Sequence, residues 1–445
     1  MNKCIVIGGG FAGLTTAVYL TSKNIKVDLF EASPKLGGRA YSFLAKDGNT
    51  IIDNGQHILM GCYNETLRLM KIIGAQENLI YQSSLEINFL RENFEIIKLK
   101  SASFPYPFNL MFGILNYGAI SFVQRLKVLQ FFIKLFTYSE QELKKLSVYE
   151  WLLKEKQNGE ISKSLWEIVS IGALNTNIKK ASAKVFADIL KEIFLKGTFA
   201  STIILPKYGL SESYCKSARE FIESNDGKIY LSRPITDLVI RNNRIAQAKT
   251  DEEIISDFEC VISAVPYHAF QKFSSVSYLN KKPDLRYSSI LTIHLWLSHN
   301  PLKEDFYGLI ASPVHWIFNK KTHLTLVISD ADYLNGKSKE EILFLAAREL
   351  KKYIKLDLDD IIDFQIIKEK RATFIPSEHT LNSRPSVITS LDNYFVAGDW
   401  VDTGLPSTIE SAVKSGRMAA DAVLHARTCK FNFYNEKRKN HAGKG

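Results

Sequence analysis

The chain opens on a strand, a glycine turn and a helix, and few folds use that order. Cys4 to Ile7 form a short apolar run of the kind that becomes a buried parallel strand. Gly8-Gly9-Gly10-Phe11-Ala12-Gly13 follows, and Leu14, Ala17, Val18 and Leu20 then recur at helical spacing. Gly8 permits a tight turn, Gly10 leaves no side chain in the way of a pyrophosphate, and Gly13 lets the helix pack close to the strand. Phosphates would face the first helix amides, at Phe11 and Ala12, where the partial positive end of a helix contributes about 0.3–1 kcal/mol. A second strand pattern, Lys26 to Phe30, ends in Glu31 and Ala32. An acid about 20 residues beyond such glycines accepts hydrogen bonds from both ribose hydroxyls and repels a 2′-phosphate. A glycine motif of this form alone is weak evidence, and both FAD and NAD occupy such units.

The residues that favour FAD lie further on. Gly37-Gly38-Arg39 follows the acid, with paired glycines for close backbone approach and a guanidinium whose fixed fork of donors suits phosphate oxygens. Near the other end, Tyr394 to Ala397 reads as a buried strand leading into Gly398-Asp399, and a helix pattern starts after Thr408 at Ile409. Between them, Gly227 to Leu231 and Cys260 to Pro266 read as strands, with hairpin strands around Val239 and Ile245. Together these segments resemble the amine oxidase and phytoene desaturase flavoprotein superfamily. The resemblance implies FAD stretched between the two ends of the chain. Gly8, Gly10, Phe11, Ala12, Gly13, Gly38 and Arg39 would lie along its phosphates, Glu31 and Ala32 at the ribose, and Ile235 over the adenine. Gly55 and Gln56 would lie near the flavin. Gly398 and Asp399 would hold the ribityl chain, and Thr408 and Ile409 would aim helix amides at the pyrimidine edge, where reduced flavin carries negative charge.

Other classes are excluded or disfavoured. A chain of 445 residues, 46% hydrophobic and 23% charged, is neither a small module nor disordered. Its net charge of +10 is spread along the sequence among acids, apart from the cluster Lys437-Arg438-Lys439, so nucleic-acid binding is not expected. The five cysteines are scattered without a CxxC or a Cys/His cluster, which predicts neither a metal site nor a disulfide framework. No secretory leader is expected ahead of the first strand, and no apolar run reaches the roughly 18 residues of a membrane span. A cytoplasmic protein is expected, or one peripheral on the inner face of the cell membrane.

Asp53-Asn54-Gly55-Gln56-His57, Leu205-Pro206-Lys207-Tyr208-Gly209-Leu210 and Gly404-Leu405-Pro406-Ser407-Thr408-Ile409-Glu410 narrow the resemblance to the hydroxysqualene dehydroxylases, relatives of the carotenoid desaturases. That family implies reductive removal of an allylic hydroxyl from hydroxysqualene, giving squalene. His57 and Gln56 are the candidates for protonating the departing hydroxyl, and a loop-fixing role for His57 is the plainer reading. Asp402 and Glu410 read as helix or turn caps. Carotenoid-type desaturation is the alternative, and a non-enzymatic prenyl-binding escort of the same fold is a third reading that the retained glycine motifs argue against. Phe104 to Leu115 and the helical stripe Phe122, Leu126, Leu129, Phe132, Ile133 and Phe136 form either core or a surface where a long-chain isoprenoid leaves a membrane. Oligomeric state is left open.

The expected architecture is α/β: a Rossmann-like FAD-binding domain of the glutathione-reductase type with an inserted α+β substrate domain. The FAD-binding domain is expected from residues 1–75, 205–270 and 385–428. The substrate domain takes a mostly helical insert, 76–204, and a sheet-forming insert, 271–384, leaving a basic tail over 429–445.

Overall fold

A computed structural model describes residues 3–273 and 277–442, with backbone only beyond 428. Two sheets organise it. The first is five-stranded and wholly parallel, in the order Lys228–Tyr230, Lys26–Phe30, Lys3–Ile7, Cys260–Ser263 and Tyr394–Val396. Parallel strands buried on both faces should be apolar throughout, and Cys4, Ile5, Val6, Val27, Leu29, Val261 and Ile262 are all completely buried. Helix α1, Phe11–Thr21, starts three residues after the first strand, and its entire length is buried. The C-terminal helix, Ile409–Ala442, packs against it. A Cβ at Gly416 would stand 2.3 Å from the carbonyl oxygen of Ala12, and the Thr16 hydroxyl donates to the carbonyl of Gly416 at 3.1 Å. The strand order places the glycine turn at the carboxyl ends of the central strands, where open α/β sheets bind ligands.

The second sheet has seven strands, in the order Ile361–Phe374, Tyr287–Leu297, Leu324–Ser329, Trp316–Asn319, Phe306–Leu309, Glu86–Arg91 and Glu95–Lys100. Its pairings are antiparallel except between Phe306–Leu309 and Glu86–Arg91. Side chains alternate faces along a strand. Leu291, Ile293 and Leu295 pack with Ile342, Leu350 and Tyr353 of the helix Lys339–Ile354 in one apolar cluster. Their neighbours Thr292 and His294 take the opposite face.

The 76–204 segment departs from the mostly helical expectation at its start. Glu86–Arg91 and Glu95–Lys100 form a hairpin that extends the seven-stranded sheet, because Ile87 and Phe89, like Ile97 and Leu99, alternate with polar residues at period two. From residue 108 onward the segment is helical, with α3 at Phe108–Leu115 and α4 at Phe122–Lys134. Its core centres on Phe131, Trp151, Trp166 and Phe186, with the rings of Trp166 and Phe186 edge-on at 6.2 Å. The basic tail expected over 429–445 lies outside the residues whose side chains are described. The backbone of the C-terminal helix continues through it to Ala442.

Candidate active site

The two glycine segments near the amino terminus meet. The amide of Gly37 donates to the carbonyl of Gly9 at 2.9 Å, and Gly10 bridges to Gly37. A Cβ on Gly38 would stand 3.1 Å from Gly10 Cα, and one on Gly13 would stand 1.8 Å from the carbonyl oxygen of Gly8. A Cβ on Gly10, by contrast, meets only Gly38 Cα, at 3.7 Å. Packing therefore dictates glycine at position 13, whereas Gly10 borders open space. No side chain caps α1, so its first amides are left for a ligand.

Glu31 is fixed by this turn. Its Oε2 accepts from the Gly9 amide at 2.6 Å and its Oε1 from the Ser33 amide at 2.8 Å, leaving lone pairs on both oxygens. Tyr230 to Arg233 runs beside it, with the Glu31 amide donating to Tyr230 and the Arg233 amide to Glu31, both at 2.9 Å. Ile235 follows two residues later, buried in the core beneath. Phe11 stacks on Tyr214 with ring centroids 3.6 Å apart, and the Tyr214 hydroxyl donates to the carbonyl of Ala40 at 2.8 Å.

Arg39 closes the distance between the chain ends. Its Nη2 lies 2.6 Å from Asp399 Oδ1, and its Nη1 donates to the carbonyl of Ala372 at 2.8 Å. Burial works to raise the Asp399 pKa, but the Arg39 guanidinium and the Ser407 hydroxyl outweigh it and hold the carboxyl below its usual range. Gly398 has φ +142°, and its amide donates to Ser415 Oγ at 2.8 Å. Thr408 Oγ1 accepts from the Ser411 amide at 3.2 Å, capping the C-terminal helix and leaving the Ile409 amide at its open end.

Buried Arg384 escaped the sequence reading. It donates to the carbonyls of Leu405 at 2.7 Å, Asp399 at 3.1 Å and Val401, and so holds the 399–405 loop in shape. No motif flags it, since its partners are backbone oxygens and the Thr403 hydroxyl at 3.2 Å. Glu410 is occupied elsewhere. Its carboxylate accepts from the amides of Glu65 and Thr66, both at 2.9 Å, and from the Thr66 hydroxyl at 2.7 Å, capping helix α2, Asn64–Ile72. Asp402 Oδ1 accepts from the Gly404 amide at 3.2 Å, an exposed turn.

Phe11, His57, Tyr214 and Ile409 line one narrow cavity with Leu59, Met70 and Pro206. Gln56 Nε2 is buried without a hydrogen-bond partner among the described residues, which marks it as a donor awaiting an acceptor. A Cβ on Gly55 would lie 3.9 Å from both His57 Nε2 and Thr292 Oγ1, so Gly55 faces the seven-stranded sheet. Burial pushes the His57 pKa down to about 4. Asp53 pulls it upward, while Arg39 and Lys320 add to the depression. At neutral pH His57 is thus an uncharged imidazole with one N–H to give. Asp53 is itself enclosed, with Lys320 Nζ 4.0 Å from its Oδ2 and His294 Nε2 3.0 Å from its carbonyl oxygen. Among the described residues no group of three or more His, Cys, Asp or Glu side chains is placed to hold a metal ion.

These features suit an elongated dinucleotide: uncapped amides on α1, a glycine with open space beside it, an acid with free lone pairs, and an orphaned buried amide at Gln56. The comparisons point the same way. Hydroxysqualene dehydroxylases from Zymomonas mobilis and Sinorhizobium fredii are each 26% identical, covering 95% and 94% of this chain and 99% and 97% of their own lengths. A 15-cis-phytoene desaturase from Synechococcus elongatus is 23% identical over 95% of this chain and 96% of its own. Among solved structures, an oxidoreductase from Methanosarcina mazei superposes with a TM-score of 0.71 at 16% identity, covering 94% of this chain and all of that one. Cyclohexylamine oxidase from Brevibacterium oxydans does so with a TM-score of 0.66 at 13% identity, covering 96% and 99%. The model of the family described as flavin containing amine oxidoreductase matches residues 11–424. The chain accordingly belongs to the flavin-containing amine oxidoreductase family and is an FAD-dependent oxidoreductase.

Proposed function

We propose that the chain removes the allylic hydroxyl of hydroxysqualene reductively, giving squalene. The observation that carries this reading is the near end-to-end match to relatives bearing that name, 26% identical over 430 residues for the one from Zymomonas mobilis. The chemistry of the interior agrees with it. Ile58 and Met60, directly after His57, pack into an apolar cluster with Phe306, Trp316, Phe318 and Val327 from the seven-stranded sheet. Such walls exclude the water that would trap an allylic cation, and aromatic faces stabilise nearby positive charge by about 0.5–2 kcal/mol each.

Bound reduced flavin supplies the hydride. The carbon–oxygen bond breaks, the oxygen leaves as water after taking a proton, and the carbon gains the hydride. The pKa of about 4 removes His57 as the acid, because a neutral imidazole has no imidazolium proton to give. Its N–H would hydrogen-bond the departing oxygen while the proton comes from solvent, and Gln56 would hold the cofactor side of the same segment. Gly8, Gly10, Gly13, Glu31, Arg39, Asp399 and the amide of Ile409 hold the cofactor, with residues 1–75, 205–270 and 385–428 as its domain.

The test is anaerobic. Dithionite-reduced enzyme mixed with hydroxysqualene is expected to reoxidise its flavin and form squalene one for one. Carotenoid-type desaturation is the second reading, favoured by the match to a phytoene desaturase over 95% of this chain. Reduction of the oxidised enzyme by a polyene, with no reaction of hydroxysqualene, would select that alternative.

A further inference from the structure

Helix α4 is apolar on two opposite faces. Val128, Phe131 and Leu135 point inward and are at most 2% exposed, which accounts for its packing. The opposite face carries Phe122, Leu126 and Ile133, exposed by 60%, 47% and 71%. A helix that is apolar all round belongs in a core or in lipid, and this one lies at the surface.

Its neighbour α3 repeats the pattern. Asn109, Leu110 and Gly113 face inward, while Phe108, Met111 and Phe112 are exposed. Arg125 locks the two helices together by donating to the carbonyls of Leu115 at 2.7 Å and Ile120 at 3.0 Å. A Ser121–Gln124 capping box fixes where α4 begins. The two adjoining helices thus each expose a set of rings and aliphatic chains. At roughly 150–250 Å² for a full aromatic side chain, the exposed part of these six side chains is on the order of 600 Å², at the top of the 300–600 Å² range of the largest patch on a typical soluble monomer.

Charge selects the occupant. Residues 96–139 contain five basic residues and no Asp or Glu. Of these, Lys98 and Lys100 pair with Glu86 and Arg125 bonds backbone carbonyls, leaving Lys127 and Lys134 on α4. Lys127 and Lys134 both fall on one flank of the α4 stripe at 3.6 residues per turn. Lys134 is paired with Glu155 at 2.7 Å, and Lys127 has no ion pair among the described residues. An apolar face whose own helices carry no acids, with Lys127 at its edge free of an ion pair among the described residues, complements an anionic bilayer, whose surface attracts such a lysine by about 1 kcal/mol.

The inner side of α3 gives this placement a purpose. Leu110 belongs to the same apolar cluster as Phe306, Phe318 and Val327, which Phe194 and Ile58 border. A continuous apolar path therefore leads from behind the exposed face to the residue after His57.

We propose that the joint outer face of α3 and α4 seats the protein on an anionic lipid surface, with the isoprenoid chain passing beneath α3 into the interior. The seating stands on the surface alone, and the passage rests on the function proposed above. The test uses the flavin-loaded full chain and vesicles of phosphatidylglycerol and phosphatidylcholine in equal parts, without substrate. The wild type is expected to sediment with them, and several-fold less with phosphatidylcholine alone. The double variant Leu126→Glu, Ile133→Glu is expected to lose at least tenfold in partition while keeping its flavin spectrum and its turnover of detergent-dispersed substrate. A wild type that stays in the supernatant, or a double variant that binds undiminished, overturns the proposal. So does self-association of the wild type that the variant abolishes, which would give the face to a second copy of the chain. Because binding is read without turnover, failure of the proposed reaction leaves this result intact.

Discussion

Gly10 and Gly13 lie three residues apart in the same turn, yet their substitutions should fail for different reasons. The backbone at Gly10 has φ −79° and ψ −177°, which any residue adopts, and an added Cβ would touch only Gly38 Cα at 3.7 Å. Gly10→Ala should therefore cost the flavin-free fold no more than about 1 kcal/mol, the scale of a changed helix cap. The methyl group, however, fills the open space beside the first amides of α1. Losing one hydrogen bond to a charged phosphate costs about 1.5–3 kcal/mol, which converts to roughly ten- to hundredfold weaker FAD binding. In Gly13→Ala the Cβ would sit 1.8 Å from the carbonyl oxygen of Gly8. Backbone on both sides must then separate, and the loss should exceed the roughly 3 kcal/mol typical of overpacking. The assays are the thermal melt of the deflavinated chain and titration with FAD. The expected pattern is a nearly unchanged melt with weak FAD binding for Gly10→Ala, and a collapsed melt for Gly13→Ala. Wild-type FAD affinity in Gly10→Ala would refute the assignment of that space to the phosphates. Equal loss of stability in both variants would refute the packing argument.

The Arg39–Asp399 pair should show itself in stability as well. Asp399→Asn leaves Arg39 its bond to Ala372, and about a third of the Arg39 side chain is exposed, so the loss in urea unfolding at pH 7 should be about 1–3 kcal/mol rather than the 3–5 of a fully buried pair. Because the Asp399 pKa is depressed in the fold, its contribution is present above the unfolded value near 4 and fades as pH falls through the folded one. Wild type and variant should therefore converge in stability below about pH 4. Burial is the first cause of depression for His57, His294, His315 and His323, whose pKa values are about 4, 3, 4 and 4. The native state then refuses protons that the unfolded chain accepts below about 6.5, and each histidine removes about 1.4 kcal/mol per pH unit. Thermal melts should fall steeply between pH 6.5 and 5, and His315→Gln should fall less steeply; a flat profile would contradict the burial of these rings. Glu410→Gln should cost about 1–2 kcal/mol by weakening the cap on α2 while FAD binding stays within twofold, because Glu410 serves the joint between helices.

How far the fold could be read in advance depended on whether the relevant contacts are local. The strand, glycine turn and helix at residues 4–20 form a local unit, and so do Tyr394 to Val396 with the helix after Thr408. Each carries its own periodicity and turn chemistry. Their convergence followed from chemical complementarity, and the Arg39–Asp399 bond joins residues 360 apart. The hairpin Glu86–Lys100 was missed although its alternation is plain, because its pairing partner, Phe306–Leu309, lies more than two hundred residues downstream. Arg384 was missed for a different reason: a side chain that bonds mostly to backbone oxygens, with only the Thr403 hydroxyl besides, leaves little trace in its partners' identities. The stacking of Tyr214 on Phe11 likewise depends on the turn after Pro206 returning to the first helix.

The buried histidines show how the seven-stranded sheet is joined to the segment that carries His57. A carbonyl oxygen only accepts, so His294 must carry its proton on Nε2 to bond Asp53, and its Nδ1 must then accept from the Thr325 hydroxyl at 3.0 Å. Protonation of Nδ1 would set two donors against each other unless the hydroxyl turned away. His315 is bound in the same way, since its Nδ1 accepts the Ser329 amide at 3.1 Å, a donor that cannot turn. Asp53, reached by His294 across 241 positions, also accepts from Ser42 Oγ at 2.7 Å and from the Leu210 amide at 3.0 Å. The segment that carries Gly55, Gln56 and His57 is thereby tied at its base to the seven-stranded sheet, to Ser42 and to the backbone of Leu210. A neutral imidazole is thus part of the joint between the segment that carries His57 and the apolar roof, and protonating His294 or His315 is expected to cost stability because each ring's Nδ1 must accept a hydrogen bond there.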